Sequence, residues 1–222
     1  MTNKLMTDKQ PAEALYQQLK QDIRNNKLPI ARPLKQQQLA ADYGVSRIPI
    51  RDVLQRLKNE GWLTQSGKRG VMVHPLSATE AEDLYIMRMY LEPLIIGHAM
   101  PKLNHQVLGQ ATDILEQLQQ PKLSIAQHGE LNWQFHACLY GVAKRPTLFN
   151  NIANLHQLCS RYIGFHSVEL DYLEISQQQH YQLLEAVKAK QLSKAKAILK
   201  QHIAEAGETS VAYLHKNMHL KN

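Results

Sequence analysis

No stretch of this 222-residue sequence approaches the ~20 consecutive apolar residues that a membrane-spanning helix needs. The first ten residues, Met1 to Gln10, are polar and hold no apolar run, so they give no sign of a secretory leader. There is no collagen-like period and no internal repeat. The one bias is toward Gln, in runs such as Gln36-Gln37-Gln38 and Gln177-Gln178-Gln179, too short to behave as prion-like tracts. Only two cysteines occur, Cys138 and Cys159, and they form no CxxC pair. Each falls in a helical pattern and reads as a small buried hydrophobe rather than half of a bridge. These absences exclude a membrane protein and a disulfide framework. They leave an ordinary folded soluble chain, expected in the cytoplasm, of one large domain or two small ones.

What is present is unevenly spread. Residues 1–75 carry 13 Lys/Arg against 6 Asp/Glu, whereas residues 76–222 carry 13 of each. The whole net charge of +7 therefore lies in the first third. A compact basic segment ahead of a neutral one suits a polyanion-binding module joined to something else.

The hydrophobic pattern divides at the same place. Leu15, Leu19 and Ile23 recur every four residues, predicting a helix over 11–26. Pro29 and Pro33 break it. A short helix over 35–43 ends at Gly44, and Ser46 is a fit N-cap for a third helix whose buried face is Ile50, Val53, Leu54 and Leu57. Pro49 falls in the first turn, where it is tolerated, and Gly61 suits the position just past the end. Two short strands follow, 62–64 and 71–73, around the glycine-bearing, basic turn from Gln65 to Gly70. After a linker at 74–76, the sequence Ser77-Ala78-Thr79-Glu80 has the form of a capping box. Helices are then expected over 78–99, 103–119, 123–143, 147–167, 170–190 and 193–217, with Pro93 distorting the first. The expected fold is mainly α: a winged helix-turn-helix over 1–75 and an all-α antiparallel helical bundle over 76–222.

A helix-turn-helix puts the start of its second helix near base edges in the major groove. Arg47 and Arg51 stand there, one turn apart and opposite the apolar face. Arg donates two parallel hydrogen bonds to guanine, a contact worth roughly 1–3 kcal/mol of discrimination. Arg56 and Lys58 lie further along and suit phosphate. Lys68 and Arg69, at the hairpin tip, suit the backbone or the minor groove.

The stretch LAADYGVSRIPIRDVLQRLKNEGWLTQSGKRGVMV resembles the DNA-binding domain of GntR-type bacterial regulators over roughly residues 12–75. The resemblance puts Ser46, Arg47, Pro49 and Arg51 in the base-reading motif and Gly67 on the wing glycine. Gln37 and Gln38 stand where many members carry a charged residue before the Leu-Ala pair, and Gln37 is a further expected DNA contact. The resemblance also implies a homodimer on a short pseudo-palindromic operator. A single half-site is too short to be found selectively in a genome, which gives pairing a physical reason.

Residues 78–210 resemble the FCD ligand-binding domain of the FadR-like subfamily. The marks are LYIMRMYLEP at 84–93, NWQFH at 132–136, and the two histidines His180 and His202 in the closing helices. Asn132 and His136 share a helix face at i and i+4. His180 and His202 are 22 residues apart across a short turn, so antiparallel packing can bring them to one layer. With eleven histidines in the chain, helix arithmetic alone leaves them open between ordinary hydrogen-bonded side chains and ligands. The resemblance implies the latter: a divalent metal, expected to be Zn²⁺ with Ni²⁺ or Mn²⁺ as alternatives, on Asn132, His136, His180 and His202. Asn132 replaces the usual Asp, which weakens the set.

Arg88 and Glu92, at i and i+4, read either as an intrahelical ion pair or as a cavity-facing anchor for a carboxylate. Arg161, in an otherwise apolar helix, is a second candidate for that anchor. The resemblance implies small organic or sugar acids as effectors. The expectation is a transcription regulator, a repressor by family habit, and not an enzyme. The alternatives are a metal-responsive regulator with no organic effector, a metal-dependent hydrolase and a purely architectural DNA binder.

Overall fold

The computed structural model describes residues 12–25, 27–68, 70–166 and 170–218. They divide into two compact units, Met1–Pro75 and Leu76–Asn222.

In the first unit, helix α1 (Ala12–Arg24) buries Leu15, Leu19 and Ile23 on one stripe, as their spacing requires. Helices α2 (Gln36–Asp42) and α3 (Arg47–Asn59) form the helix-turn-helix pair. Ile50, Val53, Leu54 and Leu57 of α3 pack with α1, Trp62 and Leu63 into one core. Ser46 takes the extended N-cap conformation, but its hydroxyl makes no capping bond. At the other end Gly61, with φ of 77°, turns the chain so that its N–H reaches Lys58 and that of Trp62 reaches Leu57. That double bond pattern is a Schellman closure, which needs the left-handed conformation glycine supplies.

The wing differs from the two-strand expectation. Its sheet has three antiparallel strands in the order β1 (Pro33–Leu34), β3 (Gly70–Val73), β2 (Leu63–Ser66). Pro33, which breaks the helical pattern in the sequence, opens an edge strand paired with Met72. An edge is where a residue without an N–H can sit in a sheet.

In the second unit the described residues form α4 (Ala78–Ala99), α5 (His105–Leu118), α6 (Ile125–Gly141), α7 (Pro146–His166), α8 (Leu170–Lys188) and α9 (Leu192–Met218). Ser77 caps α4 by accepting from the Glu80 N–H. The helix runs through Pro93, and a 3-10 turn at Met100–Lys102 separates it from α5. One core fills the bundle, built around Tyr85, Ile95, Leu115, Phe135, Tyr140, Tyr162 and Leu199. The pairing of α4 with α9 is the most extensive. Cys138 and Cys159 are both free thiols, and Cys159 is fully buried. No described helix is long and apolar enough to cross a membrane.

Candidate nucleic-acid interface and candidate metal centre

The N-terminal turn of α3 presents Ser46, Arg47 and Ile48 to solvent. Its first-turn N–H groups have no helical partners, so this end carries partial positive charge. Pro49 sits there without loss of a helical hydrogen bond. Arg51 is exposed one turn on, with Nη2 3.1 Å from the carboxylate of Asp52. Gln37, Lys35 and Arg47 line one open groove of about 820 Å³ together with Gly70. Two expected contacts from separate helices thus face a shared surface. Gln38 donates to Asp42 of its own helix.

Arg56 is differently placed. Its guanidinium lies 3.5 Å from the Tyr16 ring centroid and pairs with Glu13 at 2.6 Å and Glu60 at 3.1 Å. Those carboxylates raise its pKa, and the side chain ties α1 to α3. Lys58 donates to Gln65, whose amide donates to the Gly67 carbonyl, so α3 braces the wing turn. Gly67 has φ of 61°, and Lys68 beside it is exposed. Arg69 lies outside the described residues. Sequence reasoning passed over Ile48, although 64% of it is exposed beside Arg47. An aliphatic group at that point suits a thymine methyl. Its signal was an apolar residue on the polar side of the helix.

In the bundle, His136 from α6, His180 from α8 and His202 from α9 converge in the interior. One ligating nitrogen from each lies within 4.8 Å of the others, and no other such group occurs among the described residues. Burial drives all three rings toward the neutral form. The pKa of His202 falls to about 4, and those of His136 and His180 fall well below the usual value. Neighbouring imidazoles add to the depression at His136 and His180. Neutral imidazoles need shed no proton to take a cation.

Hydrogen bonding decides which nitrogen is bare. His136 Nδ1 lies 3.1 Å from the Tyr140 hydroxyl, and Tyr140 donates to Glu92 at 2.7 Å. Burial alone would raise the Glu92 carboxyl. Arg88 and His156 outweigh it and hold Glu92 well below the usual carboxylate range. Glu92 is therefore an acceptor, Tyr140 spends its proton there, and its oxygen accepts from His136 Nδ1–H. The lone pair of His136 is left on Nε2. That atom and His180 Nε2 are buried with no hydrogen-bond partner among the described residues. Two buried nitrogens without a partner cost free energy unless something satisfies them. A divalent cation fits that donor set. Asn132 is half-buried one turn before His136 on the same helix.

The structure makes an ion pair of Arg88 and Glu92. Arg88 Nε donates to Glu92 at 2.6 Å and its Nη2 lies 3.1 Å from His156. Both residues are buried, Glu92 completely. His156, which sequence reasoning did not single out, packs on Trp133 at 4.6 Å and approaches Glu92 at 2.9 Å. Arg161 is buried too, with Nη1 3.6 Å from Glu80, whose other oxygen accepts from Tyr162. Each expected anchor thus already faces a carboxylate of α4.

Residues 83–205 match the FCD domain family, and residues 11–73 match the bacterial regulatory proteins of the gntR family. The Nta operon transcriptional regulator of Aminobacter aminovorans is 28% identical over 169 residues, 75% of this chain and 78% of that protein. The HTH-type transcriptional repressor RspR of Escherichia coli K12 is 22% identical over 204 residues, 89% of this chain and 87% of that one. A solved GntR family member from Pseudomonas syringae pv. tomato superposes with a TM-score of 0.58 at 28% identity, covering 93% of this chain and 88% of that one. Escherichia coli McbR/YncC shares the fold with a TM-score of 0.72 at 23% identity, covering 93% and 98%.

Proposed function

Because the chain belongs to the GntR-type transcriptional regulators that carry an FCD domain, we propose that it is a one-component switch. A homodimer reads a pseudo-palindromic operator, and a small carboxylate bound in the helical bundle controls it. Such regulators are not enzymes. The observation that carries the effector half is the convergence of three buried imidazoles.

In the head, Arg47 and Arg51 read bases from the start of α3. Ser46, Pro49 and Gln37 border them, Gly67 lets the wing present Lys68, and Arg69 is a further DNA contact of this reading. Arg56 holds α1 to α3 through Glu13 and Tyr16. For the dimer, Ile86, Met87, Tyr90 and Leu94 put four large exposed apolar side chains on one face of α4. A second copy is the occupant that two operator halves require.

In the bundle, His136, His180 and His202 with Asn132 would hold a divalent first-row ion. That ion would supply a Lewis-acid position for carboxylate oxygens. A wholly neutral donor set favours Zn²⁺ or Ni²⁺ over Mn²⁺, which prefers carboxylates. Arg88 adds positive field, and an effector competes with Glu92 for its guanidinium. In the same way it competes with Glu80 for Arg161. Control requires that the effector bind one arrangement of the protein better than the other. The repressor named among the relatives supports repression as the sign.

A second reading makes the metal itself the signal, because the three histidines need no organic ligand to form a set. A thermal-shift screen of small organic and sugar acids, before and after EDTA treatment and dialysis, separates the two. An acid at a hundredfold excess over its Kd stabilises by about 2.7 kcal/mol, and chelation should abolish that shift. If Zn²⁺ or Ni²⁺ shifts the midpoint and no acid does, the metal-responsive reading replaces the first. If neither acts, both fall.

A further inference from the structure

His202 and Gln179 face one another across α8 and α9. His202 Nδ1 lies 3.0 Å from Gln179 Oε1, and both residues are buried. An amide group has one end that accepts and one that donates, and shape alone does not tell them apart. Here Glu205 does. The Gln179 amide nitrogen lies 2.6 Å from Glu205 Oε2, and a carboxylate accepts. The NH₂ must therefore point at Glu205 and the carbonyl at His202. A carbonyl also only accepts, so the proton of the neutral imidazole must sit on Nδ1. The lone pair is left on Nε2, the nitrogen on the far side of the ring. Glu205 is held in turn, because its other oxygen accepts from Gln201 at 2.8 Å, one turn back on α9.

We propose that Gln179, oriented by Glu205, is a positioning residue that fixes His202 in its Nδ1–H tautomer and so readies Nε2 for a divalent cation. The proposal rests on the metal reading above and goes beyond it to a pair of residues that touch no ion themselves. The same logic recurs at His180. Its Nδ1 lies 3.5 Å from Gln177 Oε1, and the Gln177 amide nitrogen donates to the Leu115 carbonyl at 2.9 Å. Three chains, ending on Glu92, Leu115 O and Glu205, thus leave three imidazoles bare on the same nitrogen. Outer partners of this kind fix ring orientation and ligand basicity at metal sites. Solvent-exposed Gln178 between the two serves as the control.

The test has two independent readouts on the full chain. The first is the histidine side-chain ¹⁵N spectrum of the metal-free protein, which reports each ring's tautomer without any ion. His202 is expected to carry its proton on Nδ1 in the wild type and in Gln178→Leu, and to shift toward Nε2–H in Gln179→Leu. The second is Zn²⁺ affinity by competition with a chromophoric chelator. Gln179→Leu should weaken it by about ten- to a hundredfold, and Gln178→Leu should leave it unchanged. Glu205→Gln, which lets the Gln179 amide turn over, should move both readouts in the same direction and stands in if Gln179→Leu does not fold. A Gln179→Leu protein that keeps the wild-type tautomer and affinity overturns the positioning role alone. A wild-type protein with the Nδ1–H tautomer that takes up no Zn²⁺ overturns the metal reading, and the role with it.

Discussion

Gly207 of α9 lies so close to Tyr85 of α4 that a Cβ built there would fall 2.9 Å from the Tyr85 Cβ and Cγ atoms. Those atoms sit at the root of the side chain and cannot swing aside. The Tyr85 hydroxyl is also fixed, 3.1 Å from Ser210. Gly207→Ala gains at most about 1 kcal/mol of helix propensity and incurs about 1–3 kcal/mol of overpacking. The net expectation is a loss of stability, read as a lower midpoint in urea. Gly97→Ala is the matched contrast. Its Cβ would meet only the far end of Lys196, at 3.2 Å, so it should be neutral or stabilising by up to about 1 kcal/mol.

At the head, Arg47→Ala should weaken binding to a cognate operator by about 1–3 kcal/mol, measured by fluorescence anisotropy at fixed salt. Ile48→Ala should lose less. Its loss should vanish on an operator in which the contacted thymine is replaced by uracil, which lacks the methyl group. Equal losses on both DNAs would remove Ile48 from base reading.

Asn132→Asp restores a charged ligand to the histidine set. It should tighten Zn²⁺ binding, whereas His136→Ala or His202→Ala should remove it, as followed by calorimetry. If Asn132→Asp leaves the affinity where it was, residue 132 is not a ligand.

Asp22 gives the head an acid-sensitive element. Burial pushes its carboxyl up, but Lys27 at 2.9 Å, Tyr43 at 2.8 Å and Gln18 together bring its pKa below the ordinary value. The folded pKa is thus lower than the unfolded one. Its contribution is present above the unfolded value of about 3.8 and is lost as pH falls through the folded value. Asp22→Asn should lower the thermal midpoint at pH 7, and the gap to wild type should close below pH 4. A gap independent of pH would assign the effect to packing.

On α4, Tyr90→Glu with Leu94→Glu should shift sedimentation from dimer to monomer and weaken operator binding while leaving helicity intact. A dimer that persists would place the pairing surface elsewhere.

The sequence made the head legible because its punctuation is local. Ser46, Gly61 and the four-residue apolar stripes mark helix boundaries by rules that act within a turn. The two-residue β1 escaped because a proline-led pair has no alternation to read. In the bundle, His136, His180 and His202 could be brought to one layer by helix arithmetic together with family resemblance. Their supports could not. Glu92, Tyr140, Gln177, Gln179 and Glu205 come from four helices, and only packing reveals that the first four each face an imidazole and that Glu205 holds Gln179. Gln177 and Gln179 were hidden further by lying in a glutamine run that composition treats as bias. Arg88 and Glu92 had two readings at the sequence level, and the 2.6 Å contact between them makes the ion pair the one seen in this structure.

That glutamine run carries a constraint on how the protein can change. On a helix, residues two apart point to different sides, so Gln177 and Gln179 serve two different rings while Gln178 between them serves none. Mutational drift should therefore be heard at alternate letters of a stretch that looks uniform. The middle glutamine is free to become almost anything helical. Its two neighbours cannot become even glutamate at no cost, since that would remove the amide N–H each one donates, to Leu115 O and to Glu205. A saturation library over these three positions, selected for operator release, would return that stutter as its pattern.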